Sequence, residues 1–99
     1  MMGVRVKKLF DLQDMDEKAE LLKSLAHPVR LCIIKGLIET GECNVQKMQM
    51  CLNIPQSTVS QHLSKLRISG IVRAHRIGTE VFYQVENEVV RELIKVLFK

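Results

Sequence analysis

The stretch from Leu52 to Arg67, reading LNIPQSTVSQHLSKLR, constrains this chain more than any other. Pro55 has no N–H to offer a helix and biases Ile54 away from helical backbone, so Asn53-Ile54-Pro55 is a turn. Past it, Val59, Leu63 and Leu66 fall at i, i+4 and i+7, one narrow apolar stripe on a helix from Gln56 to Ser69, with Gly70 placed for a left-handed cap. Before it, Asn44 is a good N-cap for a short helix that turns Val45, Met48, Cys51 and Leu52 to one side and Gln46, Lys47 and Gln49 outward. Two helices joined by so short a turn form a helix-turn-helix. Its second member needs a buried stripe to seat it and an outward face able to read base edges.

Single punctuating residues set the elements around that pair. Asp14 and Glu17 have capping-box spacing, and Met15, Ala19, Leu22, Leu25 and Ala26 recur at helical intervals, which predicts a helix over 14–26. His27 is a cap, because Pro28 fits a first helical turn. Val29, Ile33 and Leu37, with Leu31, Cys32 and Ile34, then carry a strongly apolar helix to Glu39, where Thr40-Gly41 closes it. Residues 71–77 and 80–86, rich in Val, Ile, Phe and Tyr around Gly78-Thr79, predict a two-stranded hairpin, and Asn87 caps a last helix over 88–98. The order α-α-α-α-β-β-α predicts a mainly helical fold with a small hairpin, a single winged helix-turn-helix domain over residues 1–99. Val89, Val90, Leu93, Ile94, Val96, Leu97 and Phe98 make the last helix apolar over too wide a face for one contact in so short a chain. That helix and the first, through Leu22, are therefore expected to pair with a second copy. Val4, Val6, Leu9, Phe10 and Leu12 are candidates to extend the same seam beside the basic run Arg5-Val6-Lys7-Lys8.

Charge placement points to a polyanion. The whole chain is +4, and between residues 56 and 80 four cations, Lys65, Arg67, Arg73 and Arg76, face one acid, Glu80. A surface helix without a partner usually carries Glu and Lys four residues apart, yet residues 56–67 contain no acid at all. Gln56, Ser57, Ser60 and Gln61 are the candidate base readers, since glutamine pairs bidentately with adenine. Thr58, His62, Ser64, Lys65 and Arg67 are candidate phosphate anchors, His62 lying on the flank where either a phosphate or solvent can meet it. Arg73 and Arg76, with His75 between them, put positive charge on the hairpin, a wing suited to the DNA backbone or a minor groove.

Other classes fit poorly. The five glycines stand alone at 3, 36, 41, 70 and 78, so no phosphate-cradling loop exists, and no nucleophile, base and orienter can be picked out, which argues against an enzyme. No apolar run approaches the roughly 20 residues of a bilayer span, and the first twelve lack a signal-peptide core, which predicts a soluble cytoplasmic protein. Three cysteines, Cys32, Cys43 and Cys51, make no disulfide framework. Cys32 and Cys51 read as core filler, Met48 and Met50 as gap filling, and Cys43, in a loop, as the exposed thiol. A bridge between Cys43 and Cys51 is unfavourable, because a helix of about eight residues at 1.5 Å rise holds them roughly 12 Å apart. All three remain candidates for a thiol-redox switch. A module that pairs with another regulator without touching DNA is the further alternative.

Ala26-His27-Pro28-Val29-Arg30-Leu31 followed by Pro55-Gln56-Ser57-Thr58-Val59-Ser60-Gln61-His62-Leu63 resembles the ArsR/SmtB family of winged-helix repressors, and the element order matches from about residue 14 to 99. Within it the chain looks most like the short PagR-type regulators. The resemblance implies a homodimer built from the first and last helices that places two recognition helices in successive major grooves of double-stranded operator DNA. It implies recognition positions at Gln56, Ser57, Thr58, Ser60, Gln61 and His62, and a wing arginine at Arg76. Many members sense metals, but Asn44 and Gln46 stand where one site has its Cys-x-Cys. The last-helix site is matched only by Glu86, Glu88 and Glu92, without histidine, so no metal or other cofactor is expected.

Overall fold

The computed structural model describes residues 9–99. Arg5-Val6-Lys7-Lys8 and the seam candidates Val4 and Val6 lie outside the described residues. Four of the helices start where a side chain satisfies N–H groups of the first turn, and the one that begins at Gln56 follows Pro55 without a side-chain cap. Helix α1 spans Leu12–Leu25 and is capped by Asp11, whose carboxylate accepts from the N–H of Gln13 at 3.0 Å and of Asp14 at 3.4 Å. The expected cap at Asp14 is thereby corrected. A carboxylate three residues earlier takes the role, and Asp14 lies in the first turn, where it suits the helix dipole and pairs with Lys18 at 3.2 Å. Helix α2 spans Pro28–Thr40, and His27 caps it as expected, its Nδ1 accepting from Val29 N–H at 3.1 Å.

A short strand β1, Cys43–Asn44, leads into α3, Val45–Leu52, where Asn44 Oδ1 accepts from Lys47 N–H at 2.9 Å. Asn53, with φ 56°, ends α3 in left-handed backbone that asparagine tolerates, and the chain enters α4, Gln56–Ile68. Strands β2, Val72–Ile77, and β3, Glu80–Val85, form the hairpin about Gly78, whose φ of 65° a side chain would resist. Helix α5, Glu88–Leu97, starts on Asn87, whose Oδ1 accepts from Val90 N–H at 3.1 Å.

The sheet has three antiparallel strands in the order β1-β3-β2, in the register Cys43↔Tyr83 and Val72↔Val85. The hairpin was legible in the sequence, whereas β1 was not: two residues carry no alternation, and they pair only because β3 lies beside them. The core joins Leu25 of α1, Ile33, Ile34 and Leu37 of α2 and Met48 of α3 to the stripe of α4, to Ile71, Val72 and Val85 about the hairpin, and to Val90 and Ile94 of α5. The last two were expected in the seam between copies. They are instead 0% and 3% exposed, filled in by their own chain, because α5 must first cover the base of the hairpin and α2. Leu22, Val89 and Leu97 of the same expectation stay exposed, with Leu93 half-buried between the two sets.

Gly36, inside α2, has nothing within 4 Å of the place a Cβ would occupy. Gly36→Ala is therefore expected to raise stability by about 0.5–1 kcal/mol, the helix-interior cost of glycine, read as a higher denaturation midpoint. A lower midpoint would show that the site is not open.

Candidate nucleic-acid interface

The seat of α4 decides what it displays. Val59, Leu63 and Leu66 are buried at 0%, 1% and 0% exposure, so the opposite side has to face out. Gln56, Ser57, Ser60, Gln61, Ser64, Lys65 and Arg67 are exposed there, and Thr58 is half-buried. The helix closes with Ile71 N–H on Leu66 O at 2.9 Å and Gly70 N–H on Arg67 O at 3.0 Å, with Gly70 at φ 73°. This is a Schellman cap whose apolar contact pairs Leu66 and Ile71. It points the chain from the end of α4 straight into the hairpin.

His62 is the candidate that turns inward. Its ring lies against His27 with centroids 4.4 Å apart, and the Arg30 guanidinium is 3.2 Å from its Nδ1. A guanidinium only donates, so Nδ1 accepts and the ring proton is on Nε2. Arg30 also donates from Nε to Ser24 O at 2.6 Å and from its other terminal nitrogen to Lys23 O at 3.4 Å. It thus satisfies the free carbonyls at the end of α1 while holding α4. Ser24 Oγ, bonded to Glu20 O at 3.0 Å, meets Ser69 Oγ at 2.7 Å and fastens the far end of α4. Sequence spacing gave no hint of Arg30, Ser24 or Ser69, since their partners lie up to 45 positions away.

The wing stands beside this helix. Arg76 is exposed one residue from the end of β2, and Arg73 is exposed opposite Gln84, whose amide oxygen, turned toward it, accepts from Arg73 Nε at 2.7 Å. His75 stacks on Phe82 and lies 2.9 Å from Glu42. Asn44 Nδ2 donates to Glu80 Oε1 at 3.1 Å, so the residue that caps α3 also ties the helix pair to the hairpin. Among the described residues, Lys65, Arg67, Arg73 and Arg76 take part in no ion pair, whereas Lys18, Lys23, Lys35 and Lys95 all do. Of the described cations outside ion pairs, Lys65, Arg67, Arg73 and Arg76 lie on α4 and the wing, and Arg30, Lys47 and Lys99 lie elsewhere.

The thiols depart from expectation. Cys32 and Cys51 are exposed and Cys43 is half-buried, the reverse of the sequence reading. The cause is helical phase: Ile33, Ile34 and Leu37 take the inner face of α2 and Met48 that of α3, which leaves Cys32 and Cys51 on the flanks. Burial pushes the Cys43 thiol up, against a smaller opposite pull from Lys47. Met50, expected to fill a gap, is 80% exposed. Among the described residues no three His, Cys, Asp or Glu side chains gather as a metal would need, and no helix is long and apolar enough to cross a membrane.

A helix-turn-helix with a hairpin wing and exposed cations on both defines the winged helix-turn-helix class of regulators. Residues 27–74 match the family model of bacterial regulatory proteins of the arsR family. The chain is 40% identical over 96 residues to the transcriptional repressor PagR of Bacillus anthracis, covering 97% of this chain and 96% of that one. It therefore belongs to the ArsR family. The crystal structure of PagR superposes with a TM-score of 0.79 over 88% of this chain and 99% of that one. The transcriptional repressor BigR of Xylella fastidiosa, 38% identical, gives 0.78 over 90% and 94%. A homodimeric winged helix-turn-helix DNA-binding domain from Mycobacterium bovis, 30% identical, gives 0.78 over 87% and 79%. The family and these relatives are regulators, not enzymes.

Burial, with His27 and Arg30 beside it, holds the His62 ring below its ordinary value of about 6.5. Above that pH the ring is neutral folded and unfolded, and it costs nothing. As pH falls from there toward the folded value the unfolded chain takes the proton first, and stability drops. Melting temperatures from pH 7.5 to 5 are expected to fall more steeply for the native chain than for His62→Asn, which keeps an acceptor for Arg30 without titrating. Parallel curves would remove His62 from the pH response.

Proposed function

We propose that this chain is a DNA-binding transcriptional repressor that acts in the cytoplasm as a homodimer, one α4 in each of two successive major grooves of an imperfect palindrome, half-sites about 34 Å apart. The observation that carries this reading is the face of α4, acid-free, exposed and rooted in a buried stripe, with unpaired cations on it and on the wing. Gln56, Ser57, Ser60 and Gln61 read base edges. Thr58, Ser64, Lys65 and Arg67 anchor phosphates, and Arg73 and Arg76 hold the wing to the backbone. His62 acts through Arg30 in setting the pitch of α4, and its Nε2–H is left to reach a phosphate on the flank of the helix.

The dimer reading rests on what α1 and α5 leave uncovered. Leu22 is 55%, Val96 71% and Leu97 63% exposed, and they line one apolar groove with Leu25, Leu31 and Leu93. Concentrated exposed apolar surface marks an interface, and relatives of this architecture include a protein described as homodimeric. Leu12 and Met15 continue the exposed apolar surface along α1, and Leu9 and Phe10 precede it.

Titration of a labelled duplex from the DNA upstream of its own gene tests the reading. Gln61→Ala is expected to cost about 1–3 kcal/mol and relax preference at one base pair, while Lys65→Ala weakens all sequences alike and lowers the salt slope by about one. No grip on any duplex at low salt would refute the function. For the dimer, Leu97→Asp, altering a side chain outside the core, is expected to sediment as a monomer. An unchanged dimer would move the seam elsewhere.

A further inference from the structure

Three thiols spread over 19 positions of the chain converge on one place. Cys32 of α2, Cys43 of β1 and Cys51 of α3 line a single pocket between α2 and α3, with Gly36, Leu37 and Lys47 completing its wall. It has a volume of about 170 Å³ and an almost wholly apolar lining. A dry apolar cavity of about 150 Å³ is enough for a benzene-sized guest. The pocket is open at Gly36, where a side chain would meet nothing. It belongs neither to the exposed face of α4 nor to the groove of α1 and α5.

We propose that this pocket is an effector site for benzene-sized apolar α,β-unsaturated carbonyl compounds, with Cys51 as the nucleophile. Cys51 is exposed, so an incoming molecule reaches it, and it lies in the last turn of α3, two residues before the Asn53 turn that delivers α4. Cys43 is half-buried, its thiol pushed up by burial, and forms wall. The Cys51 thiol gives its proton to water, and its sulfur bonds to the β-carbon as the C=C electron pair moves onto the α-carbon and carbonyl oxygen. Lys47, one helical turn before Cys51 and on the same wall, presents a cation to that developing charge. Water then protonates the α-carbon. The thiol has added across the double bond, nothing has been oxidised, and the protein gains the whole mass of the compound. A ring wedged between α2 and α3 displaces the helix against which α4 packs, so the adduct loosens the hold on DNA. That last step rests on the DNA-binding reading above.

The test uses the full reduced chain and 2-cyclohexen-1-one, with cyclohexanone as its unreactive isostere and iodoacetamide as a small polar thiol reagent. Duplex binding of the untreated protein is measured first, so failure of the function shows before any reagent is added. Intact mass and peptide mapping are expected to show one adduct, at Cys51, with a rate that saturates in enone and is slowed by cyclohexanone. Gly36→Leu, which fills the pocket, is expected to slow the enone at least fivefold and leave iodoacetamide labelling of Cys51 unchanged. The adduct is expected to weaken duplex binding at least fivefold in the native chain and to have no such effect in Cys51→Ser. A rate linear in enone without competition, or an adduct only at Cys32 or Cys43, overturns the site. An adduct at Cys51 with unchanged duplex affinity overturns its effector role. Should Gly36→Leu not fold, the cyclohexanone competition on the native chain decides alone.

Discussion

Burial of one edge of α4 is the constraint on which the rest depends. Val59, Leu63 and Leu66 are the only apolar residues on this helix that reach the core, and each is essentially removed from solvent. A stripe that narrow leaves the remaining circumference in water, so Gln56, Ser57, Ser60, Gln61 and Ser64 have one direction in which to point. Exposed polar side chains on a loosely held helix would sample many orientations. Here the rotation about the helix axis is set by three side chains packed into a close-filled interior, which tolerates little slippage. The candidate reading face is therefore a consequence of packing on the far side of the helix.

Rotation is set by the stripe, but pitch is set by polar contacts at the middle and at the C-terminal end of α4. Arg30 reaches from α2 to the last carbonyls of α1 and to His62 on α4, so three helices meet on one guanidinium. Ser24 and Ser69 fasten the C-terminal end of α4. Asn44 and Glu80 then bind the helix pair to the wing, so the two cationic surfaces are held as one body. Helix α3 packs against α4 and is tied through its cap residue Asn44 to the hairpin. The three-thiol pocket sits against that same helix, which is the basis of the effector proposal.

The apolar residues of α5 divide their work in a way that explains the dimer reading. Val90 and Ile94 serve the chain's own core, and Val89, Val96 and Leu97 are left outside it. One helix cannot bury its whole apolar circumference in a protomer of this size, because too little chain remains to surround it. The surplus on α5 lies beside the surplus on α1, and together they form the apolar surface on which the dimer reading rests.

Element order, the caps at His27, Asn44 and Asn87, the turn at Asn53-Ile54-Pro55 and the stripe of α4 were all legible in the sequence, because each depends on neighbours within a turn or two of helix. The candidate reading face was legible for the same reason: it is the complement of a periodic stripe. What the sequence left open was every matter settled between distant elements. Cys32 and Cys51 read as core and lie outside, Val90 and Ile94 read as interface and lie inside, and β1 exists only because β3 runs beside it. His62 read as a flank position, and the contact that Arg30 makes with it from 32 positions earlier was not legible. Periodicity assigns a residue to a face of its own helix, but only the neighbours packed around that helix decide whether the face meets core, partner or water.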